Sequence, residues 1–306
     1  MFAHPVDLIM EKHRRLEDEA SDEVASEPTI EEARLYRSYN LLIQHVPLVK
    51  SLDESGHDTA LDGLCANLMA GSANSRGDDA GKMKAVIVTW LNAAHGPSDP
   101  PLRENSKDER GFSNIITGGL LRPAIIRTFI LDGNTDYTVT AQDWPAFCYA
   151  NNNCNLDNIQ DGLFRGPLLV KAFKFLLTCP SLVNDTDMEP LPSKCKKQAT
   201  RSNVSTLIGL KSVSSGAIAY VALQLRFSLS DTSSWKSEDS QFDNQEFYYA
   251  IVDYFNDTPG PKAEEHVKEL LAWWNTGIQP EKWGSADCCS QCDVISFENG
   301  GAAPRP

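Results

Sequence analysis

No uninterrupted apolar run in this chain approaches the roughly 20 residues that a membrane-spanning helix needs. The apolar core of an export signal is missing as well, because Met1-Phe2-Ala3-His4-Pro5 gives way to charge from Asp7 and Glu11 onward. A cytoplasmic or nuclear location is therefore expected, with the eight cysteines held as free thiols. The sequons at Asn184, Asn203 and Asn256 then carry no glycan. Positive charge is also short. A formal net charge of −14 sets the chain against indiscriminate binding to DNA or anionic membranes.

The usual catalytic signatures are absent too. The nearest approach to a phosphate-cradling loop, Gly209-Leu210-Lys211-Ser212, lacks the glycine beside the lysine and the one upstream. There is no dinucleotide fingerprint and no Gly-x-Ser-x-Gly elbow. The six histidines (His4, His13, His45, His57, His95, His266) are spread singly, and His266 has no partner one helical turn away. No cofactor is expected. The one cysteine cluster is Cys288, Cys289 and Cys292, whose Cys-x-x-Cys spacing could aim two thiolates at a zinc ion. A structural site needs about four ligands, and the alternative is a set of free thiols on a loose tail.

What the chain does contain is helical periodicity. Hydrophobic residues make up 41 %, enough for a chain of this length to bury a core without staples. Thr29 and Glu32 form a capping box ahead of Leu35, Tyr36, Tyr39, Leu42 and Ile43, and Pro47 ends or kinks that helix. A helix is expected after Asp58, broken at Gly71–Gly77, with Asp78 capping the next one through Met83, Ile87 and Leu91. A short helix through Trp144, Phe147 and Tyr149 follows. Pro167 opens another, Ser214 caps the next, and two more span Gln245–Phe255 and Lys262–Trp274. In the last, only Trp274 of the Trp273-Trp274 pair falls on the apolar face. Small strands are confined to the stretch between Phe112 and Val139. The expectation is an all-α fold: a single irregular helical domain of about eight helices over residues 29–283. Residues 1–28 read as an acidic, partly disordered arm and 284–306 as a disordered tail.

Several blocks resemble a domain family of unknown function from mushroom-forming fungi, DUF6698. They are Gly162-Leu163-Phe164-Arg165-Gly166-Pro167-Leu168-Leu169-Val170-Lys171-Ala172-Phe173-Lys174, Ala199-Thr200-Arg201-Ser202, and Ala217–Ala222 with Arg226-Phe227. Leu270-Leu271-Ala272-Trp273-Trp274-Asn275, Lys84 with Trp90-Leu91, and the Arg110-Gly111-Phe112 turn fit the same pattern. The resemblance spans roughly residues 60 to 280. It implies relatives and no activity.

Charge is unevenly distributed. Between Arg165 and Lys211 stand Arg165, Lys171, Lys174, Lys194, Lys196, Lys197, Arg201 and Lys211, against only Asp185, Asp187 and Glu189. Lys171 and Lys174 share a helix face. With Arg165, Lys196, Lys197 and Arg201 they form a candidate anion-binding patch for phosphate or a nucleic-acid backbone. The alternative is that they pair with the chain's own carboxylates in weak surface bridges. Lys194-Cys195-Lys196-Lys197 also reads as a short nuclear import signal. These features favour a non-enzymatic intracellular interaction module with a protein or nucleic-acid partner and no membrane. The rivals are an enzyme using Asp78, Asp79, Arg165 and Arg201, and a zinc-supported module using the Cys288 cluster.

Overall fold

The computed structural model describes residues 3–21, 27–125, 139–178, 211–239 and 242–278, and over these the fold is all-α. The helices in chain order are α1 (Pro5–Ala20), α2 (Ile30–His45), α3 (Pro47–Ser55), α4 (Asp58–His95) and α5 (Ile115–Leu121). They continue with α6 (Pro167–Leu177), α7 (Ser215–Leu229), α8 (Asn244–Asn256) and α9 (Pro261–Ile278). The strands among the described residues are β1 (Glu238–Asp239) and β2 (Phe242–Asp243), an antiparallel ribbon of two residues per strand that lies outside the Phe112–Val139 stretch where small strands are expected from sequence.

Local chemistry sets most helix ends. The Thr29 hydroxyl accepts from the Glu32 amide while the Glu32 carboxylate accepts from the Thr29 amide, a complete capping box. Pro47 ends one helix and opens the next, since its ring is compatible only with a first turn. Pro167 opens α6 in the same way. Ser214 accepts from the Ala217 amide at the start of α7. Asn114 does the same for α5, taking the amides of Ile116 and Thr117.

Two expectations are corrected. Gly71–Gly77 does not break the chain: α4 runs unbroken for 38 residues. Glycine inside a helix costs about 1 kcal/mol relative to alanine. Both ends of α4 are anchored by packing, with Cys65 buried on one side and Met83, Ile87 and Leu91 on the other. Propagating across the glycines is then cheaper than nucleating a second helix. The helix expected through Trp144–Tyr149 is only a three-residue 3₁₀ turn, Ala146–Cys148. Its backbone is claimed elsewhere: the Ala124 amide donates to Trp144, the Ala146 amide to Arg122 and the Ala150 amide to Gly162.

The chain divides into two units. The first comprises Met1–Gly118, Thr138–Gln142 and Arg226–Tyr249. Within it, Leu8 and Ile9 of α1, Tyr39 and Leu42 of α2, Val49 of α3 and Cys65 of α4 form one buried cluster. The stretch expected to be an arm thus contains a helix whose apolar residues enter this core. Charge surrounds the cluster. Glu11 is held by Arg14 at 2.9 Å and Arg15 at 2.7 Å, and the Arg14 hydrogen bond holds its carboxyl below the usual range. Arg34 of α2 donates to Glu246 through its two terminal guanidinium nitrogens, at 2.7 and 3.1 Å.

The second unit comprises Gly119–Tyr137, Asp143–Leu225 and Ala250–Pro306. Phe164, Leu169, Phe173, Ile218, Leu225, Ile251, Leu270 and Trp274 are among its buried residues. Phe164 has a left-handed backbone (φ 55°) and packs its ring 5.1 Å from Tyr254 and 5.2 Å from Trp144. Two residues on, Gly166 donates to the Cys148 carbonyl, and a Cβ there would lie 1.8 Å from the Phe147 carbonyl oxygen. The tail expected at 284–306 lies outside the described residues.

Candidate functional site

In the first unit, the loop following α4 turns inward on two cations. The Arg110 side chain is 1 % exposed and donates to the carbonyls of Ser228, Lys84 and Arg103 at 2.7, 2.7 and 2.8 Å. The turn that carries it needs Gly111: its φ is +79°, and a Cβ would lie 2.9 Å from the Asp231 carboxylate carbon. Lys107 is 5 % exposed. Its ammonium donates to the Phe227 and Thr232 carbonyls, both at 2.5 Å, and to the Ser230 hydroxyl at 3.4 Å, and it lies 3.4 Å from the Phe227 ring centroid. Burial, reinforced by the charge of Arg110, pulls Lys107 down to about 7. Burial likewise lowers Arg110 and Arg226, each to about 10. Arg226 spans the ribbon, lying over the Phe242 ring at 3.3 Å and 3.9 Å from Asp239.

Beside these anchors a cavity of about 420 Å³ opens against α4. One wall is a face of α4: Arg76, Ala80 and Lys84 form one row, and Ala73, Gly77 and Gly81 the adjacent row. The other wall is Phe227, Ser233, Trp235 and the stem of Lys107. The two aromatic rings meet edge to face at 5.3 Å, and the Arg76 guanidinium stands 6.0 Å over Trp235. Among the described residues the lining holds Arg76, Lys84 and the stem of Lys107 and no carboxylate, inside a chain whose net charge is −14. Lys84 donates to the Asn105 carbonyl at 3.1 Å, one bond from a group with three donors. Gly77 and Gly81 face open space, since a Cβ at either would meet nothing within 4 Å. Such a cavity can take an anionic group attached to a planar or apolar body.

The residues expected from sequence fall elsewhere. Arg165 precedes α6 in the second unit, with its guanidinium 5.3 Å over Trp273. Lys171 and Lys174 are both half-buried on α6, and burial lowers Lys171. Lys196, Lys197, Arg201 and the cluster Cys288, Cys289 and Cys292 lie outside the described residues. Asp78 and Asp79 are interior to α4 rather than at its start, and Asp79 accepts from Lys82 at 3.2 Å. Among the described residues, no group of three or more ligating side chains is arranged to hold a metal ion. No described helix is long and apolar enough to cross a membrane. Trp274 is buried, while Trp273 is 37 % exposed, as their helix positions require.

Fold and cavity together define an all-α protein built on buried, backbone-bound cations, with a cationic, aromatic-walled recess. The model of a family of unknown function (DUF6698) matches residues 70–279, over half of the chain, and the chain belongs to that family. No curated protein and no solved structure matches it. The matched span includes the whole α4 wall of the cavity and the Arg110-Gly111-Phe112 and Arg226-Phe227 elements that frame it.

Proposed function

We propose that this chain is a non-enzymatic interaction module that binds an acidic segment of a protein partner through the cavity on α4. The observation that carries the reading is the composition of the described lining: Arg76 and Lys84 with Trp235, Phe227 and the stem of Lys107, and no acid. An acidic side chain gains charge-assisted hydrogen bonds there, while its neighbours gain aromatic contact. A nucleic acid is disfavoured, because a long polyanion must follow a surface whose overall charge repels it. A cavity of this size instead selects one or two side chains. A cytoplasmic or nuclear setting suits the buried free thiols of Cys65, Cys148 and Cys154.

The enzyme reading has one observation in its favour, a lysine near neutrality at the edge of a cavity. The geometry speaks against a nucleophile. The three ammonium protons are directed at Phe227, Thr232 and Ser230, so the nitrogen is held by the fold rather than presented to a substrate.

The reading is tested by fluorescence anisotropy with a labelled Glu/Asp-rich peptide containing one aromatic residue, beside a single-stranded oligonucleotide of equal charge. The peptide should bind, and Arg76→Glu or Lys84→Glu should weaken it about tenfold or more. Equal binding of the oligonucleotide would replace the protein-partner reading with a polyanion one. Peptide binding indifferent to both substitutions would remove the cavity from the interface.

A further inference from the structure

In the second unit, the loop between the Ala146–Cys148 turn and α6 is closed at its base. Tyr149 pairs with Leu163, and the Ala150 amide donates to the Gly162 carbonyl at 2.9 Å. Cys154 is buried, and its thiol donates to the Asn155 carbonyl. Further along, the backbone is folded into turns by its own side chains. Asn155 Oδ1 accepts from the Asp157 amide at 3.1 Å, and Asn158 Oδ1 from the Gln160 amide at 3.3 Å. The Asn158 and Asp161 amides donate to the Asn155 and Asn158 carbonyls. The result is a compact loop of set shape with its ends together. Its tip exposes two large aliphatic side chains, Leu156 at 51 % and Ile159 at 43 %. Beside them stand the exposed carboxylates of Asp157 and Asp161, and residues 151–162 include no lysine or arginine.

This tip is the chemical inverse of the α4 cavity, which sets Lys84 and Arg76 beside Phe227 and Trp235 and has no carboxylate among its described lining. We propose that the acidic segment received by the α4 cavity is this loop, presented by a second copy of the chain. The aliphatic pair meets the Phe227 and Trp235 rings, one side chain inside the cavity and the other at its mouth. Asp157 reaches the ammonium of Lys84, a charge-assisted contact. A loop already folded loses little conformational entropy on docking. The inference rests on the reading of the α4 cavity as a site for acidic segments. Because the two surfaces differ, the contact is heterologous, and copies add head to tail into open chains or closed rings. The net charge of −14 on each copy opposes their approach, so the contact is weak and is best measured where salt screens that repulsion.

The test is sedimentation velocity of the full chain near physiological salt, where the Debye length is about 8 Å. Average mass should rise between about 10 μM and 1 mM protein, the range for a contact of small area. Lys84→Glu in the cavity, or Leu156→Ser with Ile159→Ser in the loop, should each weaken self-association by about tenfold or more. The decisive sample mixes the two variants. One intact cavity and one intact loop remain between them, so the mixture should form a one-to-one heterodimer and nothing larger. Its formation also shows that both variants are folded. A wild type that stays monomeric throughout, association indifferent to both variants, or a mixture that stays monomeric would each overturn the proposal. Monomeric wild type with Lys84-dependent binding of the labelled acidic peptide would remove the second copy and leave the α4 reading standing. Loss of both would remove the two together.

Discussion

The ammonium of Lys107 donates to the backbone carbonyl of Phe227 and at the same time lies 3.4 Å from the centroid of the Phe227 ring. One residue thus satisfies the cation twice, by a carbonyl lone pair and by an aromatic face. The arrangement fixes the end of α7 to the loop after α4, where both contribute to the cavity wall.

Lys107→Met should therefore destabilise the protein, by about 1–3 kcal/mol, because the Phe227 and Thr232 carbonyls lose a buried donor. The effect should depend on pH. In the folded state Lys107 titrates near 7, against an ordinary value of 10.5. Between those values the unfolded chain binds more protons than the folded one, so the Lys107 contribution to stability rises as pH increases from 7 toward 10. Below pH 7 both states are protonated and the dependence vanishes. Urea unfolding of wild type and Lys107→Met at several pH values isolates this contribution, since all other groups titrate alike in both. A difference constant with pH would show that Lys107 is not shifted.

Arg110→Lys should cost about 2–4 kcal/mol despite keeping the charge. The planar guanidinium reaches three carbonyls, those of Ser228, Lys84 and Arg103. An ammonium on a shorter, differently shaped stem cannot serve all three. Carbonyls then remain buried and unpaired. A midpoint of urea unfolding within experimental error of wild type would show that the three bonds contribute nothing net.

Gly166→Ala tests the backbone of the second unit. A methyl group would stand 1.8 Å from the Phe147 carbonyl oxygen, which is backbone and has no rotamer to yield. The turn from Gly162 to Gly166 must then separate from Ala146–Cys148, with loss of the Gly166–Cys148 hydrogen bond. The loss should exceed about 3 kcal/mol. Gly119→Ala is the matched control, because a Cβ there meets nothing within 4 Å. Equal stability of the two variants would contradict the close approach.

These anchors also explain what a sequence of this kind can and cannot disclose. Caps are local, so Thr29 with Glu32, Pro167 and Ser214 are legible from their immediate neighbours. Trp274 is legible as core because helical spacing assigns it to the apolar face. Lys107 and Arg110 are not, since the carbonyls they serve belong to Phe227, Ser228 and Thr232, more than a hundred residues on. The cavity is hidden for a sharper reason. Its cations, Arg76 and Lys84, share a face only if α4 is continuous, and Gly71–Gly77 reads as a break. With the helix divided there, the row Arg76, Ala80, Lys84 does not exist as a surface. The basic segment stands out instead, because consecutive lysines are visible without any fold.

The glycines that obscure the helix supply the last prediction. Gly77 and Gly81 weaken α4 by about 1 kcal/mol each relative to alanine, and no neighbouring atom demands their small size. Gly77→Ala with Gly81→Ala should therefore stabilise the protein by about 1–2 kcal/mol, measured by thermal or urea unfolding. The added methyl groups also project where a bound segment must lie against the helix. Acidic-peptide affinity should fall by about threefold to tenfold even as stability rises, a combination that unfolding cannot produce. Greater stability with unchanged affinity would mean that the peptide binds at the Arg76 and Lys84 side chains without reaching the helix beneath them. The proposed recess would then be a charged rim rather than a pocket.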